Sequence, residues 1–410
     1  MSVATSNSIL LTFNPGSSTI KLGLFTIEAN APCRLGTGII DLDLRPLTLH
    51  IIWGPKTTDI PLKAPVTDDL HEVIEETLGC VTSHFSVSEL AAAGHRVVHG
   101  GDRFAGPSPV TDETLAAIEA LVPLAPLHQP QSARLIRALR HLRPSLLQIA
   151  SFDTAFHRSQ SNLVRRFALP RALFNEGVKR YGFHGLSYKF IAAQVERIAP
   201  DVARGRVVAA HLGSGASLCG LEAGMSRDTS MGFSTLDGIP MATRCGALDP
   251  GVLIHLVRER GLSIEAVEDM LYHRSGLLGV SGISSDSRDL AGNEAPEARE
   301  ALDLFAFRIA RETAAHATTL GGLDGIVFTA GIGEHQPWIR EAVCHHLAWL
   351  GVRIDNSANS QNATRIDASG SKIAVFVIPT DEEQVIADEA WSILEAKTEH
   401  PMTPTIDSSI

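Results

Sequence analysis

Short apolar runs recur along the chain at Ile9–Phe13, His95–His99, Leu147–Phe152, Arg206–Leu212, Gly325–Thr329 and Ile373–Ile378. Several are nearly unbroken and rich in β-branched residues, the pattern of strands covered on both faces. Between them the period lengthens. Thr111, followed by Asp112 and Glu113, predicts an N-cap with an acidic first turn, after which Leu115, Ile118 and Val122 share one face. Another helix is predicted to open at Pro296, to carry Leu302, Phe305 and Ile309 inward and to stop at Gly321-Gly322. Further on, Val385, Ile386, Ala390, Ile393 and Leu394 form an apolar stripe. Helices interspersed with buried strands predict an α/β architecture.

Two distant segments use one device. Leu11–Phe25 and Val208–Gly220 each lead an apolar strand into a tight Gly/Ser turn and out along a second strand, as in a β-hairpin. Glycines let the backbone approach an anion, and successive N–H groups with Ser hydroxyls can grip phosphate oxygens. One such turn is more often structural. Two of them, heading two halves of the chain, predict a duplicated fold with phosphate held between the copies.

The length of 410 residues suggests two to three domains at roughly 150 residues each. With 44% apolar and 20% charged residues the chain is globular rather than disordered. Lys plus Arg number 35 against 46 Asp plus Glu, a net charge of −11 without long runs of one sign, which argues against nucleic acid as a partner. Cys33, Cys80, Cys219, Cys245 and Cys344 are widely spaced, with no C-x-x-C pair, which predicts a reducing cytoplasm. No basic residue precedes Ile9-Leu10-Leu11, unlike a secretory signal, and no apolar stretch approaches the ~20 residues that span a bilayer, so no membrane association is expected.

Chemistry concentrates in ten segments: Phe13–Lys21, Gly94–Gly101, Ala125–His128, Phe152–His157, Arg180–Gly185, Asp228–Phe233, Ala242–Gly246, Ser284–Leu290, Phe328–Glu334 and Ile378–Glu383. In these residues and their order the chain resembles the acetate kinase family, within the acetate and sugar kinase, Hsp70 and actin superfold. The resemblance covers nearly the whole chain. It implies two duplicated ribonuclease-H-like α/β domains with a cleft between them. Residues 1–154 plus 382–398 would form domain I, with the first phosphate hairpin and the substrate arginine. Residues 155–381 would form domain II, with the second hairpin, the adenosine pocket and a homodimer interface; residues 399–410 would be a disordered tail. The activity implied is reversible, ATP-dependent phosphorylation of acetate to acetyl phosphate by direct in-line transfer, with Mg²⁺ or Mn²⁺ as cofactor and ATP/ADP as co-substrate. A propionate or other short-chain acyl kinase is the alternative. A non-catalytic nucleotide clamp is a remote one, which should lack the arginine pair and the His184 segment.

Elementary chemistry sets the requirements of such a reaction. A carboxylate acceptor is already ionised at neutral pH, so no strong general base is needed. Nucleophile and γ-phosphate are both anionic, so catalysis reduces to positioning, a metal ion and positive side chains. Arg suits this better than Lys, because its planar fork binds carboxylate or phosphate bidentately.

By the resemblance, Arg96 holds the substrate carboxylate and Arg244 draws the phosphoryl group and acceptor together. His184 hydrogen-bonds the phosphoryl group, although a His among apolar residues is more often structural. Asp153 orients an arginine, with a helix N-cap as its bland alternative. Asn14 and Glu382 match the metal positions, and Glu383 could replace Glu382, although adjacent residues usually point apart. Ser17 and Lys21 contact phosphate. Nucleotide contacts fall at His211, Leu212, Gly213, Ser214 and Gly215, at Asp286, Ser287 and Arg288, and at Gly331, Ile332, Gly333, Glu334 and His335. Val98, Leu127 and Thr235 wall the acyl group. His128 has a weaker claim; His95, His99 and His157 are expected to be structural, and so is His211 when read apart from the resemblance. The chain departs from the family pattern at Ser214, where Asn is usual, at Thr235, where Pro is usual, and at His335 and Ala247.

Overall fold

The computed structural model describes residues 8–16, 19–29, 31–67, 69–85 and 89–399. The chain divides into two compact units, Met1–Ala155 with Asp381–Ile410, and Phe156–Thr380. The first unit contains an eight-stranded sheet built from β1 (Ser8–Pro15), β2 (Thr19–Glu28), β3 (Ala31–Asp41), β4 (Thr48–Trp53), β5 (Lys56–Pro61), β6 (Glu89–Val97), β7 (Ser108–Pro109) and β8 (Gln148–Phe152). Its order is β5-β4-β3-β2-β1-β6-β8-β7. The second unit contains β9 (Arg206–Leu212), β10 (Ala216–Glu222), β11 (Met225–Thr229), β12 (Gly325–Thr329) and β13 (Ala374–Val377), in the order β11-β10-β9-β12-β13.

The two sheets repeat one plan. In β3-β2-β1-β6-β8 and in β11-β10-β9-β12-β13, the first two pairings are antiparallel and the next two parallel. Both Gly/Ser segments are hairpins, β1/β2 and β9/β10, at the same place in that plan. The parallel strands β8, β12 and β13 are buried throughout, as their mostly apolar sequences require.

Several boundaries differ from the sequence pattern for local reasons. The apolar run His95–His99 leaves the sheet at Val97, because the Gln129 side chain takes over the next backbone groups. His99 N donates to Gln129 Oε1 (3.1 Å), and Gln129 Nε2 donates to the His99 carbonyl (2.9 Å). Thr111 caps the helix Asp112–Glu119 by accepting from Thr114 N (3.1 Å). That helix stops short of Val122, which belongs instead to the 3₁₀ turn Val122–Leu124 around Pro123, a residue with no N–H to continue the ladder. The helix Pro296–Leu320 buries Leu302, Phe305 and Ile309 and ends at Gly321 in the left-handed region (φ 71°).

The helix Glu382–Glu399 returns the chain to the first unit and lays Ala387 and Ala390 over Leu10, Ala92 and Ile149. A Cβ placed on Gly94 would stand 2.5 Å from Ile386 Cγ2 and 3.2 Å from the Ile386 carbonyl, so only glycine admits the helix this closely. Ala155 and Asp381 both lie with the first unit, one residue from the expected limits. Asp381 pairs with Arg34 and accepts from Gln384 N (3.0 Å) at the helix start, which ties it to that unit. The tail beyond Glu399 and Ser17, which was expected to contact phosphate, lie outside the described residues. Among the described residues no helix is long and apolar enough to cross a membrane.

Candidate active site

In the first unit, Arg96 and Asp153 are brought together by parallel pairing of β6 with β8, where Arg96 stands opposite Ser151. Asp153 is fully buried just past the strand end, where it opens the 3₁₀ segment Asp153–Ser159. Arg96 donates from Nη2 to Asp153 Oδ2 (2.7 Å) and from Nε to both carboxylate oxygens (3.2 Å each). Its Nη1 donates to Asn14 Oδ1 (3.0 Å) and lies 3.6 Å from Glu382 Oε2. Burial works against the charge of this guanidinium, but Asp153, Glu382 and Glu383 outweigh it and hold the pKa above its ordinary value.

Asn14 ends the first hairpin strand, with Lys21 opposite it on β2, exposed. Its Nδ2 donates to Glu382 Oε2 (3.0 Å) and to Glu383 Oε1 (2.8 Å). The expectation that these adjacent glutamates point apart is therefore corrected. They occupy the first turn of a helix rather than a strand, and both carboxylates reach one amide. Val98 is buried one residue beyond β6, whereas Leu127 is 38% exposed.

In the second unit, His184 adopts the left-handed region (φ 56°, ψ 24°) immediately before the helix Gly185–Ile198. The turn leading to it is pinned. Tyr181 N and Gly182 N both donate to the Gly232 carbonyl (3.0 and 3.3 Å), and His157 Nε2 donates to the Phe183 carbonyl (2.9 Å). The His184 ring stacks on His211, with centroids 4.2 Å apart and an 18° tilt, and its Nδ1 lies 2.8 Å from Ser217 Oγ. Ser217 in turn lies 2.5 Å from the Tyr188 hydroxyl, and His211 Nδ1 lies 2.8 Å from Ser187 Oγ.

Arg244 faces the same place. A Cβ on Gly215 would stand 3.4 Å from His184 Nε2 and 3.7 Å from Arg244 Nη1, so the bare glycine leaves room between two nitrogen donors. Arg244 Nη1 donates to the Thr235 carbonyl (3.3 Å) and approaches Met241 Sδ (3.7 Å); among the described residues no carboxylate pairs with it. Burial lowers its pKa, with only the Tyr272 phenol opposing. Thr235 is buried.

The second hairpin borders a cavity of about 630 Å³ lined by Gly213, Ser214, Ser285, Asp286, Ser287, Arg288, Gly331, Ile332, His335 and Trp338. The remaining residues expected to touch nucleotide do not line it. His211 packs behind His184, Leu212 is buried in β9, Gly333 packs on Phe328, and Glu334 accepts from Thr380 N (3.2 Å). Asp286 and Arg288 are engaged with each other (2.5 Å), so a nucleotide contact by either competes with that pair. Arg288 is otherwise mostly exposed.

Sequence reasoning missed several contributors. Trp338 carried no signal beyond standing three residues past the His335 position. Arg180 lies inside a singled-out segment yet was given no role. It donates to Asp237 Oδ2 (2.7 Å) and to the Thr229 and Ser230 carbonyls (2.7 and 3.1 Å), bracing the loop that carries Thr235. Ser187, Tyr188 and Ser217 became visible only through the histidine rings they contact.

A family model described as the acetokinase family matches residues 9–388. The chain is 45% identical over 395 residues to an acetate kinase of Methylocella silvestris, covering 94% of this chain and 98% of that one. It is 46% identical over 397 residues to an acetate kinase of Rhodopseudomonas palustris strain TIE-1, covering 95% and 99%. Among solved structures it resembles a propionate kinase from Francisella tularensis (TM-score 0.86, 33% identity, 94% and 99% covered). It also resembles the acetate kinase of Porphyromonas gingivalis (TM-score 0.84, 34% identity, 94% and 100% covered). Similarity of this extent, running through both hairpins, both arginines and the paired glutamates, makes the chain a member of the acetokinase family.

Proposed function

We propose that this protein transfers the γ-phosphoryl group of ATP to the carboxylate of acetate, giving acetyl phosphate and ADP, and that it runs the reaction in both directions. The observation that carries the reading is Arg244, a half-buried guanidinium with no carboxylate partner among the described residues, beside His184 Nε2 over the bare face of Gly215. A pair of donors so placed suits an anion whose charge spreads over equatorial oxygens. Arg96 offers a second cation, oriented by Asp153, for the substrate carboxylate. No group need remove a proton from the acceptor, because acetate is ionised at working pH.

The reading includes Mg²⁺. Glu382 and Glu383 bring two carboxylates to the same Asn14 amide, and a pair of hard oxygen donors held this close together fits a hard divalent cation. Glu382 and Glu383 would hold the ion with Asn14 beside them. When bound, Mg²⁺ supplies neutralisation of nucleotide phosphate charge. The reading also includes a homodimer through the second unit, whose helix Pro250–Arg258 leaves Val252 and Ile254 exposed. A reducing cytoplasm is supported by five unpaired cysteines.

One coupled assay with ATP, Mg²⁺ and a panel of acetate, propionate and butyrate tests the substrate. One methylene in an apolar pocket is worth ~1–3 kcal/mol, so acetate is expected to lead propionate by about tenfold or more in kcat/KM. Val98→Ala should narrow that ratio by improving propionate. Equal or better use of propionate by the unmodified protein overturns the acetate reading in favour of a propionate kinase.

A further inference from the structure

His184 Nδ1 meets a hydroxyl, not a carboxylate or a carbonyl, and that hydroxyl is itself held. Ser217 is fully buried on β10 and makes two side-chain hydrogen bonds among the described residues, to His184 Nδ1 (2.8 Å) and to the Tyr188 hydroxyl (2.5 Å). Tyr188 is also fully buried, one turn along the helix that His184 precedes.

The proton accounting at Ser217 is restrictive. A hydroxyl carries one proton and two acceptor sites. A phenol is far more acidic than an aliphatic alcohol, so in a short Tyr–Ser contact the phenol is the better donor and the alcohol the better acceptor. If Tyr188 donates to Ser217 Oγ, the serine proton has one acceptor left, His184 Nδ1. Were Nδ1 also protonated, the Ser217 hydrogen would be buried without an acceptor, an arrangement that native structures avoid. The His211 ring stacked on His184 adds a second constraint, because it fixes the imidazole plane and leaves only its in-plane nitrogens to choose between roles.

We propose that Tyr188 and Ser217 form a hydroxyl relay, Tyr188 O–H to Ser217 Oγ and Ser217 O–H to His184 Nδ1, that locks His184 as the neutral tautomer carrying its proton on Nε2. The consequence rests on the functional reading above, in which His184 touches the transferring phosphoryl group. With the proton on Nε2, His184 and Arg244 direct N–H donors at the same space over Gly215. With the proton on Nδ1, a lone pair would face that space and repel phosphoryl oxygens. Tyr188 and Ser217 are thus positioning residues, acting through His184 rather than on substrate.

The test is nitrogen NMR of the full-length protein labelled with ¹⁵N-histidine, without substrate, with His184→Gln used to identify the His184 resonances. The native protein is expected to show Nδ1 as an unprotonated, hydrogen-bonded nitrogen and Nε2 as protonated. Ser217→Ala, and independently the volume-conserving Tyr188→Phe, should convert this to a mixture of tautomers. In parallel, kcat should fall about tenfold in Ser217→Ala, with KM for ATP and acetate within about twofold, as when an orienting partner is lost. A proton on Nδ1 in the native protein, or an unchanged tautomer in both variants, overturns the relay. An unchanged kcat in a variant with mixed tautomers overturns its positioning role. Because the tautomer is read without substrate, failure of the relay appears in the spectrum, and failure of the phosphotransfer reading appears only in turnover.

Discussion

At the scale of single residues, His184 and Arg244 hold conformations and environments that a polypeptide adopts only under constraint. An L-residue in the left-handed region costs roughly 1–2 kcal/mol, a cost glycine escapes. His184→Gly should therefore be more stable than His184→Ala by about 1 kcal/mol in urea unfolding, although both lose activity; equal stabilities would show that the turn carries no such strain. Removing a transition-state donor typically costs 10²–10³ in rate, so Arg244→Ala should lose ~3–4 kcal/mol in kcat/KM, and Arg244→Lys should recover little of it for want of the planar fork. Near-native kcat/KM in folded Arg244→Ala would remove that residue from the reaction. Both residues could be named from the sequence, but their environments could not. Nothing in the spacing of Arg96 and Asp153 places one against the other; the parallel register of β6 and β8 does. Nothing near Arg244 in sequence announces that no carboxylate among the described residues pairs with it.

Among elements, the helix Glu382–Glu399 joins packing to chemistry, because the turn that supplies both glutamates continues into the face that covers β1, β6 and β8. Gly94→Ala drives a methyl into Ile386, and overpacking of this kind costs about 1–3 kcal/mol. It should also raise the Mg²⁺ concentration needed for half-maximal rate, since the displaced helix carries the carboxylates. Measured alone, Glu382→Ala and Glu383→Ala should each raise that concentration; a shift in one variant but not the other would identify a single ligand. The buried parallel strands were legible as apolar runs, and the helix caps as short polar signals. The outer strands were not. β5, Lys56–Pro61, is half or fully exposed at every position and has no apolar run to betray it, so it is a strand only because β4 pairs with it.

For the molecule as a whole, duplication was readable from two hairpins, because each Gly/Ser turn stands between two apolar strands and marks the same place in its sheet. What could not be read is how much neutral histidine the two cores enclose. His95, His99 and His157 are each depressed by burial from an ordinary 6.5 to about 4. Between those values the unfolded chain binds protons that the native state refuses, so stability is intact above about pH 6.5 and falls as pH drops toward 4. Each histidine contributes up to ~1 kcal/mol per pH unit over that window. The urea midpoint should fall steadily from pH 7 to pH 5, and less steeply in His157→Gln; a flat profile would mean these rings find protons in the folded state. The two-part make-up of the first unit also has a consequence during synthesis. A ribosome emits its eight strands early, then the entire second unit, and only afterwards the helix that covers Leu10, Ala92 and Ile149. At roughly 5–20 residues per second the nascent sheet waits on the order of 10–50 s with that face bare, a window in which chaperone capture or aggregation competes with completion.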